Sequence, residues 1–174
     1  MRIIKVVEHR EEWSKLFQVE SKKIQDIFGN ELIAIHHIGS TAVPHLKAKP
    51  IIDIMPIVKK IEHVDSFHIQ MSKIGYESLG EYGMVERRFF RKGGDDRTHH
   101  IHVFQDTNKN DIERHLAVRD YLRTHYEARK DYGNLKGELA IKFPNDINSY
   151  SDGKDEFVEN LERKALLWYL KRSD

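Results

Sequence analysis

Apolar residues recur at three- and four-residue spacing over residues 9–29, where Trp13, Leu16, Phe17, Ile24, Ile27 and Phe28 share one stripe. That spacing predicts an amphipathic helix, and Gly29-Asn30 supplies its stop. The pattern then changes to apolar runs over 32–38 and 51–58, which read as buried strands. A second helix is predicted over about 61–74, ending at Gly75, followed by short strands over 76–79, 86–92 and 98–105. Gly93-Gly94-Asp95-Asp96 is a turn of the kind that joins antiparallel neighbours. From Asp111 onward the pattern is helical over 111–125, 126–142 and 154–171, with Pro144-Asn145-Asp146 as a breaker. The stripe Phe157, Leu161, Ala165, Leu167 and Trp168 reads as core packing. The expectation is one α/β domain of the α+β kind over residues 1–174. Its mixed sheet of about five strands, flanked by helices, fills about 1–106, and appended helices fill about 107–174.

Composition narrows the classes of function. A chain of 174 residues can bury a core without covalent staples, and 39% hydrophobic with 33% charged residues describes a globular protein. Lysine and arginine total 29 against 28 acids, a net charge of +1. That balance gives no support to bulk electrostatic binding of nucleic acid or of an anionic membrane. No cysteine occurs, so disulfides, thiolate catalysis and cysteine-based zinc sites are excluded. The N-terminal MRIIKVVEHREEW turns charged too early for a secretory signal, and no apolar run approaches membrane-spanning length. A cytoplasmic location without a membrane partner is expected.

The candidate chemistry lies where polar residues interrupt strands. Asp53 sits among Ile51, Ile52, Ile54 and Met55, where a carboxylate is costly unless it meets a cation, a donor or a solvated cleft. His37 ends the preceding strand. Alternation points His100 and His102 the same way, so a carboxylate on a neighbouring strand would complete a facial ligand set for a divalent metal. The plainer reading is half-exposed imidazoles bonded to their neighbours. Gly39-Ser40 offers close backbone approach and a hydroxyl at the start of a helical turn, a setting that suits phosphate. Lys49, before Pro50, stands at the mouth of the second strand or is a solvated loop lysine. Arg87 and Arg91 share a strand face, where they line a cleft or blunt a sheet edge; the edge reading is preferred. Tyr132 with Lys136, and Tyr150 with Lys154, are four apart, so each pair presents a hydroxyl and an ammonium on one helix face. Solvated helix surface is the ordinary explanation of such pairs.

The segment HIGSTAVPHLKAKPIIDI resembles the hallmark of the GrpB family, a group related in fold to the nucleotidyltransferase superfamily. THHIHVF is similar to the family's later histidine-rich strand. VRDYLRTH followed by YGNLKGELA resembles its helical motif, and Tyr150-x3-Lys154 fits its C-terminal pattern. The likeness covers roughly residues 5–170. It implies a sheet of nucleotidyltransferase type, binding a nucleotide or other phosphate-containing small molecule together with a divalent metal (Mg, Mn or Zn). By that resemblance Asp53 is the catalytic carboxylate, and His37, Asp53, His100 and His102 hold the metal. Gly39, Ser40, Thr41, Lys49, Arg119, Lys136 and Lys154 hold phosphate or nucleotide.

Two departures qualify what the resemblance implies. Met55 stands where nucleotidyltransferases have a second acid, and His45 where the family usually has glycine. One carboxylate with imidazoles suits Mn²⁺, Fe²⁺ or Zn²⁺ better than Mg²⁺, which prefers oxygen. The implied function is nucleotidyl or phosphoryl transfer. The alternative is a catalytically degenerate binding or accessory module that serves a partner protein or a coenzyme A pathway enzyme, since a related domain is fused to dephospho-coenzyme A kinase in some bacteria.

Overall fold

The computed structural model describes residues 2–172. Helix α1 (Glu12–Phe28) forms on the predicted stripe and buries Trp13, Ile24 and Phe28, with Glu20 on the same buried side. Gly29, at φ +52°, opens a 3₁₀ turn that feeds β1 (Leu32–Ile38). Gly39, at φ +73°, precedes a second 3₁₀ turn, Ser40–Ala42, and β2 (Ile52–Val58) comes later. The helix expected over 61–74 is instead a 3₁₀ stretch, Ile61–Phe67, followed by α2 (His68–Lys73). Ile61, Val64 and Phe67 recur every third residue, which is the 3₁₀ period, and Ile61 and Val64 are buried.

Strands β3 (Tyr76–Ser78), β4 (Arg87–Lys92) and β5 (His99–Gln105) complete the sheet. Helices α3 (Lys109–Thr124), α4 (Tyr126–Lys142) and α5 (Ile147–Arg172) follow. Helix α5 starts before the expected residue 154 because Asp146 acts as a cap. Its carboxylate accepts from the Ser149 backbone N–H at 3.1 Å and from the Ser149 hydroxyl at 2.6 Å.

The five strands run in the order β1-β2-β5-β4-β3, with β2 and β5 parallel and the other pairs antiparallel. The fold is thus α+β on a mixed sheet. Strand β4 lies inside the sheet, which corrects the edge reading of Arg87 and Arg91. Arg87 is buried, and its guanidinium donates to the carbonyls of Glu81 and Tyr82.

Register and alternation assign side chains to the two faces. On the face toward α1, Glu20 accepts from the Tyr76 hydroxyl at 3.0 Å and from Lys92 Nζ at 2.8 Å. On the other face Asp53 stands beside His100, His100 beside Arg91, and His102 beside Phe89.

Contacts divide the chain into two compact units. The sheet unit comprises Glu12–Ile38 and Ile51–Ile112, and the helical unit Met1–Glu11, Gly39–Pro50 and Glu113–Asp174. Within the helical unit, Val43 and Leu46 bury against Leu122, Tyr132 and Leu161, while Ile4 buries against Leu139, Ala140 and Tyr150. Arg123 fastens the loop 39–50 by donating twice to the Ala42 carbonyl, at 2.8 and 3.0 Å. No described helix is long and apolar enough to cross a membrane.

Candidate metal centre and lysine cluster

In the sheet unit, parallel pairing of β2 with β5 sets Asp53 directly across from His100, with His102 two residues on. His102 Nε2 lies 3.1 Å from Asp53 Oδ1, and His100 Nδ1 lies 3.6 Å from the same oxygen. One ligand atom from each of the three residues falls within 4.8 Å of the others. Both imidazoles tilt against the Phe89 ring, at centroid distances of 5.4 and 5.3 Å, which fixes their orientation. Burial pushes the Asp53 carboxyl up, but its contacts with His100 and His102 outweigh that and hold it far below the ordinary carboxylate range. Asp53 is therefore ionised at neutral pH.

Arg87 determines the protonation pattern of this group. Its Nη1 lies 3.4 Å from His102 Nδ1, and a guanidinium can only donate. Nδ1 must then accept, so the ring proton sits on Nε2 and is given to Asp53. A metal bound through Nε2 would require the other tautomer, with the ring proton on Nδ1 and the Arg87 contact given up. His100 Nε2 is buried and has no hydrogen-bond partner among the described residues. Two imidazoles and one carboxylate fit a borderline metal such as Zn²⁺, Mn²⁺ or Fe²⁺ better than Mg²⁺.

His37 lies outside this group. It pairs with Ile54 in the register, so it points to the α1 face, and its ring stacks on Phe17 at 4.8 Å. The β1 histidine that shares the Asp53 face is His36, opposite Met55. Arg87 went unnoticed in the sequence as a neighbour of His102 because its role depends on the β4–β5 register.

In the helical unit, a second polar group surrounds Lys136. This lysine is 3% exposed, donates to Ser40 Oγ at 2.8 Å, and rests on the Tyr132 ring at 4.4 Å. Lys49 and Lys154 both sit over the Tyr150 ring, at 5.2 and 5.3 Å. Burial, reinforced by the nearby charges of Lys154 and Lys49, lowers the Lys136 ammonium well below its ordinary range. The buried Tyr150 hydroxyl has no hydrogen-bond partner among the described residues. The group thus brings three lysine ammoniums together around two phenol rings, a concentration of positive charge that suits an anion.

Of the residues expected to hold phosphate, Ser40, Lys49, Lys136 and Lys154 gather here. Gly39 supplies the left-handed backbone before Ser40, and Thr41 is buried. Arg119 instead pairs with its neighbour Asp120 at 2.8 Å. Tyr132 and Tyr150 belong to the group through their rings, as the four-residue spacing to Lys136 and Lys154 allows.

The family model described as "GrpB protein" matches residues 3–164. The chain belongs to the GrpB family. It is 44% identical over 173 residues to the UPF0157 protein YqkA of Bacillus subtilis, covering 99% of this chain and 50% of that protein. The chain therefore spans about half the length of that relative. The crystal structure of conserved protein GrpB from Enterococcus faecalis superposes with a TM-score of 0.93 at 42% identity, covering 95% of this chain and 99% of that one. A dephospho-CoA kinase of Mycobacterium leprae is 24% identical over 174 residues, covering 84% of this chain and 42% of the kinase.

Proposed function

We propose that this GrpB protein is of nucleotidyltransferase type, binding a divalent metal at Asp53, His100 and His102 and a phosphate-containing small molecule at Ser40 and Lys136. The observation that carries the reading is the convergence of one carboxylate and two imidazoles from adjacent strands within 4.8 Å. A metal held there would supply Lewis acidity toward a phosphoryl oxygen. The chain's own residues do the rest. Asp53 stays ionised as the anionic ligand, and Phe89 and Arg87 orient the rings; in the helical unit, taken by itself, Lys136 offsets the charge of a phosphate held at Ser40.

Thermal unfolding with Zn²⁺ or Mn²⁺ tests the metal half. At a hundred times its dissociation constant a metal adds roughly 2.7 kcal/mol, and Asp53→Asn should abolish that gain. No stabilisation by any divalent metal would end the reading. Catalysis is tested by pyrophosphate or phosphate release from nucleoside triphosphates, which should fall in Asp53→Asn.

A second reading is favoured by Met55, which stands where a paired-acid metal site needs a carboxylate. On that reading the protein binds its ligand without turning it over and assists another enzyme. The similarity to part of a dephospho-CoA kinase makes coenzyme A metabolism a candidate setting. Metal-linked stabilisation without product release would select it.

A further inference from the structure

A cavity of about 410 Å³ opens in the helical unit between the loop 39–50 and the first turns of α4. His45, Lys47, Tyr126, Arg129 and Lys130 line it, together with Glu8. Neither Ser40 nor Lys136 belongs to the lining. The volume is at the smaller end of the range for ligand pockets, enough for a mononucleotide.

The charge of the lining is one-sided. Three permanent cations face one acid, and that acid does little to offset them: Glu8 is 80% exposed and reaches Lys47 only at 3.7 Å. Arg129 is held in position, since its Nη1 donates to the carbonyls of Leu122 and Arg123 at 3.1 and 3.2 Å. Its guanidinium and the Lys130 ammonium both lie over the Tyr126 ring, at 5.7 and 6.0 Å from its centroid. The net excess of two positive charges matches a phosphate-monoester dianion.

His45 is the second observation. Its backbone sits at φ +69°, a left-handed conformation that glycine adopts without strain and histidine does not. The chain holds an imidazole at a strained position on the wall of a cationic cavity. Strain of this sort is retained where a side chain has a use.

We propose that this cavity is a second anion site, binding a phosphomonoester of mononucleotide size through Lys130, Arg129, Lys47 and His45. It is separate from the Ser40–Lys136 group and does not depend on a metal. Isothermal titration calorimetry of the full chain with AMP tests it, with adenosine and inorganic phosphate as comparison ligands. AMP should bind, phosphate should bind more weakly, and adenosine should not bind. Lys130→Glu should weaken AMP by roughly tenfold or more, the loss expected for a charge-assisted contact. His45→Gly should weaken AMP several-fold while the melting temperature stays level or rises, which separates lost binding from lost folding. The proposal is overturned if AMP does not bind at millimolar concentration, or if its affinity survives both Lys130→Glu and His45→Gly. It is equally overturned if Lys136→Met alone removes binding, since AMP would then sit at the Ser40 group.

Discussion

The two units bury charge in opposite ways. In the sheet unit, each buried or half-buried acid meets donors: Glu20 accepts from Tyr76 and Lys92, and Asp53 sits against His100 and His102. Both carboxyls are held below their ordinary values although burial alone would raise them. In the helical unit, Lys136 is buried with a hydroxyl and an aromatic ring, and its nearest charges are two more lysines. The acids of the sheet unit are satisfied within the fold. The lysine of the helical unit meets a hydroxyl and a ring but, among the described residues, no acid, so its charge is offset less.

Removing the compensated acid should have the largest effect. Glu20→Ala strips the acceptor from Tyr76 and Lys92 and should cost about 2–4 kcal/mol in urea unfolding. Its pH dependence has a definite sign. The folded value lies below the ordinary 4.5 because the Lys92 and Tyr76 hydrogen bonds overcome desolvation. The stabilisation is complete above about 4.5 and is lost as the pH falls toward the folded value. Glu20→Gln should therefore flatten the acid limb of the stability curve. An unchanged limb would break the comparison.

Lys136→Met should act the other way, raising stability at neutral pH by about 1–3 kcal/mol because an uncompensated buried cation is replaced by an apolar chain. The folded value of Lys136 lies below its ordinary 10.5, so between the two the unfolded chain holds more protons. The native protein should thus gain stability as the pH rises through that window, and the variant should lose this gain. A destabilised Lys136→Met would mean that the ammonium is better compensated than its contacts indicate.

The smallest effect, and the cleanest contrast, comes from two tyrosines. Tyr76→Phe removes a hydroxyl that donates to Glu20 and should cost about 1 kcal/mol. Tyr150→Phe removes a buried hydroxyl with no partner among the described residues and should be neutral or stabilising by less than about 1 kcal/mol. Equal losses in thermal unfolding would erase the difference between the units.

Much of this arrangement was legible along the chain. Asp53 stood out as an acid in an apolar run, and His100 and His102 followed from alternation in a single strand. Glu20 falls on the stripe of Trp13, Ile24 and Phe28, where an acid requires partners, but the apolar spacing alone did not single it out. Its partners were not legible, because Tyr76 and Lys92 lie 56 and 72 residues away. His37 was grouped with Asp53 as a metal ligand, although its pairing with Ile54 puts it on the opposite face, for a related reason. A strand's alternation says which residues share a face, and only pairing says which face meets Asp53. The 3₁₀ character of 61–67 and the early start of α5 depended on local spacing and on the Asp146 cap, which the reading of Pro144-Asn145-Asp146 as a breaker overlooked.

The sequence by itself determined the elements, their periodicity and the identity of the groups able to do chemistry, because those follow from side-chain type and from spacing within a few residues. Tertiary structure alone decided that β2 lies beside β5, that Arg87 faces His102, and that Lys136 reaches Ser40 from 96 positions away. Those contacts arise from strand register and helix packing, which are settled by burying the whole apolar surface at once and leave no mark in any short stretch of chain.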